Sequence, residues 1–106
     1  MATISALPPP CAPLGGEFAV DESAIEAYLV DRVKCLGGEC RKVRWVGRNG
    51  APDRVVMLAG RTIWVELKPP GGKGKPHQIR EHVRMRNMGQ RVEVVDSCER
   101  VDEVLA

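Results

Sequence analysis

The stretch Gly50-Ala51-Pro52-Asp53-Arg54-Val55-Val56-Met57-Leu58-Ala59-Gly60-Arg61-Thr62-Ile63-Trp64-Val65-Glu66-Leu67-Lys68 decides how the chain is read. Two runs rich in aliphatic and β-branched residues flank Gly60-Arg61, the pattern of a β-hairpin. With Gly60-Arg61 as the two-residue turn, Ala59 pairs with Thr62, Val55 faces Glu66 and Asp53 faces Lys68. Side chains alternate along a strand, so Asp53, Glu66 and Lys68 project from one face and Ile63, Val65 and Leu67 from the other. Three ionisable groups then meet within a cross-strand distance of ~5 Å.

Two carboxylates and an amine gathered this way have a chemical use. Asp53 and Glu66 offer hard oxygen ligands of the kind Mg²⁺ or Mn²⁺ takes, with waters completing the shell. A metal-bound water loses a proton readily and attacks a phosphodiester. Lys68 can orient that water or stabilise developing negative charge, and the backbone carbonyl of Leu67, between the two, can reach the same ion. The competing reading is a solvated strand carrying a surface Asp–Lys pair of little energetic worth.

Upstream, Ile25, Leu29, Val33 and Leu36 fall on one face of a helix expected over Asp21–Leu36, capped by Asp21 or Ser23 and ended by Gly37-Gly38. Glu22 lies in the middle of that apolar face, where a carboxylate needs a partner such as a metal or its water shell. Glu26 lies toward its edge, and Ser23-Ala24-Ile25-Glu26 also fits a capping box. A strand is expected over Arg41–Val46 and a loop over Gly47–Pro52. Downstream, Pro69–Lys75 is a breaker-rich loop without the G-x-x-x-x-G-K-[ST] spacing of a phosphate-binding P-loop, so no nucleotide cofactor is expected. A second helix should start near Pro76 and stop at Gly89, with Ile79 and Val83 as its core contacts and Gln78, His82 and Arg86 on one stripe. Gln78, in its first turn, can point at a phosphate or water near Lys68. A strand over Val92–Val95 and a short helix capped by Ser97 complete the order α-β-β-β-α-β-α, an α/β layer with a mixed sheet flanked by helices.

The 106 residues allow one small domain. Residues 1–20, with Pro8-Pro9-Pro10, Pro13 and Gly15-Gly16, read as a flexible tail, leaving 21–106 as the domain. Aromatic residues are only 4% of the chain, so the core must be aliphatic. The N-terminus carries no Lys or Arg before its apolar residues and is broken by prolines, so neither a secretory signal nor a membrane span is expected. Cys11, Cys35, Cys40 and Cys98 lack the paired spacing of a zinc site and fit reduced thiols in a cytoplasmic protein.

The net charge of +2 hides an uneven distribution. Residues 41–91 carry thirteen Lys and Arg against three Asp and Glu, a net +10 between two acidic ends. Eleven of the sixteen cations in the chain are Arg, which suits bidentate phosphate contacts. Arg41, Arg44, Arg48, Lys73, Lys75, Arg80 and Arg84 are the candidates for a sequence-independent, salt-dependent DNA-binding face.

Gly50-Ala51-Pro52-Asp53, Val65-Glu66-Leu67-Lys68, Gly71-Gly72-Lys73 and Gln78, in that order behind an acidic helix, resemble the virus-type replication-repair nuclease (VRR-NUC) domain, a branch of the PD-(D/E)XK nuclease superfamily. The resemblance covers about residues 21–105. It implies a restriction-endonuclease-like core and a Mg²⁺- or Mn²⁺-dependent DNA endonuclease, with Asp53, Glu66, Lys68, Gln78 and a first-helix acid, Glu22 or Glu26, at the site. Stand-alone relatives of this size look like phage or bacterial homodimers that cut branched DNA such as Holliday junctions, and a two-fold dimer suits paired cuts on a four-way junction. The alternative is a non-catalytic DNA-binding module that retains the nuclease fold. Two carboxylates in a basic groove argue against it, since without a metal they repel phosphate.

Overall fold

The computed structural model describes residues 20–106; the tail expected over residues 1–20 lies, Val20 apart, outside the described residues. The elements are α1 (Glu22–Cys35), β1 (Glu39–Lys42), β2 (Arg54–Leu58), β3 (Arg61–Leu67), α2 (Pro76–Asn87), β4 (Val92–Val95) and α3 (Cys98–Leu105). Their order is the expected one. The four strands form one mixed sheet in the order β1-β2-β3-β4, antiparallel from β1 to β3, with β4 parallel to β3 through the α2 crossover.

One face of the sheet is apolar. Val56, Ile63, Val65 and Leu67 meet Ile25, Leu29 and Val33 of α1 and Val101, Val104 and Leu105 of α3 in a single aliphatic core. The i, i+4, i+8 spacing of Ile25, Leu29 and Val33 makes the stripe that buries, and Asp21 caps the helix by accepting the Ala24 N–H at 2.8 Å. Ser23 is not the cap. Glu22 is exposed at the first turn and does not sit within the buried stripe, because the stripe begins one turn later at Ile25.

The hairpin turn is Ala59-Gly60, one residue earlier than expected. Leu58 pairs with Arg61, Val56 with Ile63 and Arg54 with Val65. Gly60 has φ +78°, a conformation that the second position of a type II turn requires and that glycine supplies without strain. The pairing Ala59–Thr62, and with it Val55–Glu66 and Asp53–Lys68, is therefore replaced by one slipped two residues. A slip of two keeps every side chain on its face, and it brings Asp53 to the level of Glu66.

β1 also departs from expectation. It covers Glu39–Lys42, and the chain leaves the sheet by Val43, whose N–H still reaches the Asp53 carbonyl at 3.0 Å. From there it crosses to α2, where Trp45 is held by Glu81.

The other sheet face carries Trp64, Glu66 and Lys68 and is covered by α2. The helix does not pack through Ile79 and Val83, which are 52% and 46% exposed; Glu81, His82 and Met85 are buried instead. A sheet face presenting a carboxylate and an amine recruits polar partners, so the polar stripe of α2 turns inward. Val83→Ser is accordingly expected to change stability by less than ~0.5 kcal/mol, as surface substitutions do. Urea denaturation checks this, and a loss above ~1 kcal/mol would restore Val83 to the core.

Candidate active site

The site is built where the start of β2, the end of β3 and the first turns of α2 converge. Pro52, buried, delivers Asp53 at the mouth of β2. Asp53 is tied to β3 by its own N–H to the Val65 carbonyl at 3.0 Å, and its Oδ2 accepts the Leu67 N–H at 2.8 Å. One carboxylate oxygen is thus spent on holding the side chain in place.

Glu66 is 3% exposed. Its Oε2 accepts from Lys68 Nζ and from Gln78 Nε2, both at 3.1 Å. Its Oε1 is buried with no hydrogen-bond partner. Burial, then the charge of Asp53, pushes the Glu66 carboxyl up to about 7; the hydrogen bond and charge of Lys68 pull the other way, and the charge of Glu22 adds to the rise.

Gln78 is the hub. Its Oε1 accepts from Lys68 Nζ at 2.8 Å and from the Lys75 backbone N–H at 3.0 Å. Two donors on one side require the amide oxygen there, which turns the NH₂ toward Glu66. The same side chain therefore caps α2 and fixes the lysine.

His82, one turn on from Gln78, is buried, and its Nε2 lies 3.9 Å from Glu66 Oε1; both atoms lack a hydrogen-bond partner. Burial, then the charges of Arg86 and Lys68, holds the imidazole below its ordinary range, so it is neutral at pH 7.

Four of the expected site residues, Asp53, Glu66, Lys68 and Gln78, thus come together. Glu22 is exposed and is felt at Glu66 through its charge. Glu26 is spent on Arg54, whose Nε donates to Glu26 Oε2 at 2.9 Å, so it neither caps α1 nor joins the site. The Leu67 side chain is in the core while its N–H holds Asp53.

Of the expected DNA contacts, Arg44, Lys73, Lys75 and Arg80 are exposed. Arg41 pairs with Glu39, and Arg48 and Arg84 reach Glu81 at 3.4 and 2.9 Å. The sequence reading put His82 on one stripe with Gln78 without assigning it to the site, and it missed Glu81 and Trp45 as members of this region. The i, i+4 step from Gln78 was the available signal for His82. Glu81 and Trp45 meet only through tertiary contact, Trp45 Nε1 donating to Glu81 Oε2 at 2.8 Å.

Cys40 and Cys98 are free thiols, and burial raises both above their ordinary range, against a nucleophilic role. Among the described residues no three or more His, Cys, Asp or Glu side chains cluster as a metal cage, and no helix is long and apolar enough to cross a membrane.

No family model matches the chain. A protein of Acyrthosiphon pisum secondary endosymbiont phage 1, described as "Putative nuclease p44", is 46% identical over 79 residues, which span 74% of this chain and 85% of the phage protein. A solved structure described as a VRR_NUC domain superposes with a TM-score of 0.73 at 41% identity, covering 79% of this chain and 92% of its own. The shared architecture includes the mixed four-stranded sheet with its three helices, and with identity this high across most of both relatives the chain belongs to the VRR-NUC domain family.

Proposed function

We propose that this protein is a metal-dependent, structure-selective DNA endonuclease. The carrying observation is the buried Glu66 carboxylate, which has one oxygen without a partner and a second carboxylate, Asp53, beside it. Lys68 meets only Oε2, and a buried carboxylate with its other oxygen unmet is costly unless a second cation meets it. The pair fits Mg²⁺ or Mn²⁺, which takes one or two carboxylates and keeps its waters, and it does not fit zinc, which wants three or four protein ligands. Asp53, Glu66 and the Leu67 carbonyl would hold the ion. A bound ion of this kind supplies an acidified water and positive charge at the scissile phosphate.

The chain's own groups do the rest. Lys68 Nζ, fixed between Glu66 and Gln78, presents its remaining donor capacity to the attacking water or to a phosphate oxygen. Gln78 holds that lysine in place. Glu22 is the first-helix acid, since Glu26 is consumed by Arg54. The exposed cations Arg44, Lys73, Lys75 and Arg80, with Arg41, Arg48 and Arg84 exchanging their carboxylates for phosphates, give affinity without sequence preference.

The DNA is branched, a Holliday junction being the leading case, and the acting form is a homodimer in the cytoplasm of a bacterial or phage-infected cell. Recognition is of shape. The nuclease domain is residues 21–106.

The test is cleavage of labelled four-way junction, flap, splayed-arm and linear duplex DNA with Mg²⁺, Mn²⁺ or EDTA. Metal-dependent cutting of the branched substrates is expected. Binding without cutting under either metal would favour the non-catalytic module. Within this assay Glu22→Ala should slow cleavage roughly 10–100-fold, the range for residues acting through a metal's outer shell. Glu26→Ala should leave the rate within about twofold and cost on the order of 1 kcal/mol of stability through loss of the half-buried Arg54 pair. Equal slowing by both would reassign the first-helix acid.

A further inference from the structure

Past the carboxylates, the polar face of β3 runs into a hollow of about 300 Å³ that the proposed chemistry does not use. Its walls include Trp45, Trp64, Arg48, Arg84, Met85 and Met88. Trp64 stands two residues before Glu66 on the same strand face, and Glu81 and Met85 lie on the buried side of α2 beyond Gln78, so the hollow neighbours the candidate active site along both elements.

Both tryptophans are anchored by their edges. Trp45 Nε1 donates to Glu81 Oε2 and Trp64 Nε1 to Gln90 Oε1, each at 2.8 Å. The rings lie 5.8 Å apart at 55°, an arrangement in which they touch without stacking flat on each other. Their polar edges are satisfied, and both residues are only half-buried. Met85 and Met88 add soft, polarizable surface. At the rim, two guanidiniums face a single carboxylate, Glu81, and their side chains are 56% and 52% exposed. Aromatic faces with cations beside them are the chemistry that takes a base and its flanking phosphates.

We infer that this hollow, beside the Glu66–Lys68 site, binds an unpaired nucleobase stacked against Trp45 and Trp64, with Arg48 and Arg84 on the adjacent phosphates. The inference rests on the nuclease reading for its substrate, and it gives that reading a physical basis for preferring branched DNA. Flaps and splayed arms carry unpaired bases and an open four-way junction leaves the pairs at its centre unstacked, whereas the interior of a continuous duplex offers neither.

Trp45 and Trp64 are the two tryptophans of the whole chain, so intrinsic tryptophan fluorescence reports on this hollow alone. The wild-type protein, with EDTA present to prevent cutting, is titrated with three DNA probes. These are a blunt duplex, the same duplex with one unpaired thymine, and a short oligothymidylate. Quenching by the last two and not by the blunt duplex is expected. Trp45→Leu should weaken binding of those two roughly 5–150-fold, the loss of one stacked base, and leave the blunt duplex within about twofold.

Equal quenching by all three probes, or tight binding of the unpaired base without quenching, overturns the inference. So does a Trp45→Leu protein that turns from dimer to monomer in sedimentation, which would make this face a contact between copies. The nuclease reading fails separately. Quenching without metal-dependent cutting sinks the nuclease and keeps the hollow, whereas cutting without quenching does the reverse.

Discussion

Glu66→Gln is expected to abolish cleavage and, in the same protein, to raise metal-free stability at pH 8. The loss of activity should be at least ~100-fold, beyond the 10–100-fold attached to partners outside a metal's ligands. An amide is a poor substitute for a carboxylate on a hard divalent cation. The gain in stability comes from the same burial. In the native protein the Glu66 carboxyl is pushed from 4.5 up to about 7, mainly by burial and then by Asp53. The folded state therefore keeps a proton that the unfolded chain releases. Any stability tied to that proton is complete below pH 4.5 and is lost as pH rises through 7, by roughly 3 kcal/mol at 1.36 kcal/mol per pH unit. Glutamine has no such slope. Urea denaturation of both proteins in EDTA across pH 4.5–8 should show curves that diverge with rising pH. Parallel curves would mean that the carboxylate is comfortable without a cation. That result would remove the observation on which the metal-dependent reading stands.

Gly50→Ala should be the most damaging single methyl addition in the G-A-P-D motif. Gly50 has φ +96°, which costs an L-residue roughly 1–2 kcal/mol. A Cβ there would also stand 2.8 Å from Glu81 Cβ and 2.9 Å from the His77 carbonyl oxygen. Those atoms belong to α2 and cannot turn away as a flexible side chain would, so overpacking adds roughly 1–3 kcal/mol. Gly37 provides the comparison. It has φ +78° with nothing within 4 Å of a Cβ, so Gly37→Ala pays the dihedral cost alone. Thermal unfolding should separate the two, at roughly 4–8 °C per kcal/mol for a domain near this size. Gly50→Ala should also lose cleavage, because pushing α2 outward draws Gln78 from Lys68. Equal loss of stability in the two variants would show that α2 yields and that the close approach is unimportant.

The order of the elements was readable because each is written in local chemistry: a cap at Asp21 or Ser23 and an apolar stripe for α1, of which Ile25, Leu29 and Val33 bury and Leu36 does not, Pro76 for the start of α2, Ser97 for α3. The grouping of Asp53, Glu66 and Lys68 survived a wrong register for a geometric reason. A two-residue slip preserves faces, so alternation along β3 sufficed. What failed was the face of α2. Hydrophobicity nominated Ile79 and Val83, but the sheet beneath is polar, and Glu81 and His82 bury on that side with Gln78 half-buried beside them. That choice depends on which residues β3 presents, which the sequence of α2 alone does not encode. Glu22 and Glu26 were separable only once Arg54 was seen to take Glu26. The charged run was visible by counting, yet the sharing of Glu81 between Arg48 and Arg84 belongs to tertiary structure.

The side-chain bonds that knit the site together are short in sequence. Asp53 to Leu67, Glu66 to Gln78 and Lys68 to Gln78 are separated by 14, 12 and 10 residues. The tie between α1 and α3, from Tyr28 to Asp102, spans 74. Loop-closure entropy grows as the logarithm of length, so closing that span costs about 1.5 kcal/mol more than any of the three. The reactive corner is thus a kinetically local assembly, able to gather from one hairpin and the helix after it. The two helices behind the sheet carry the slow, entropically expensive closure that makes the arrangement last.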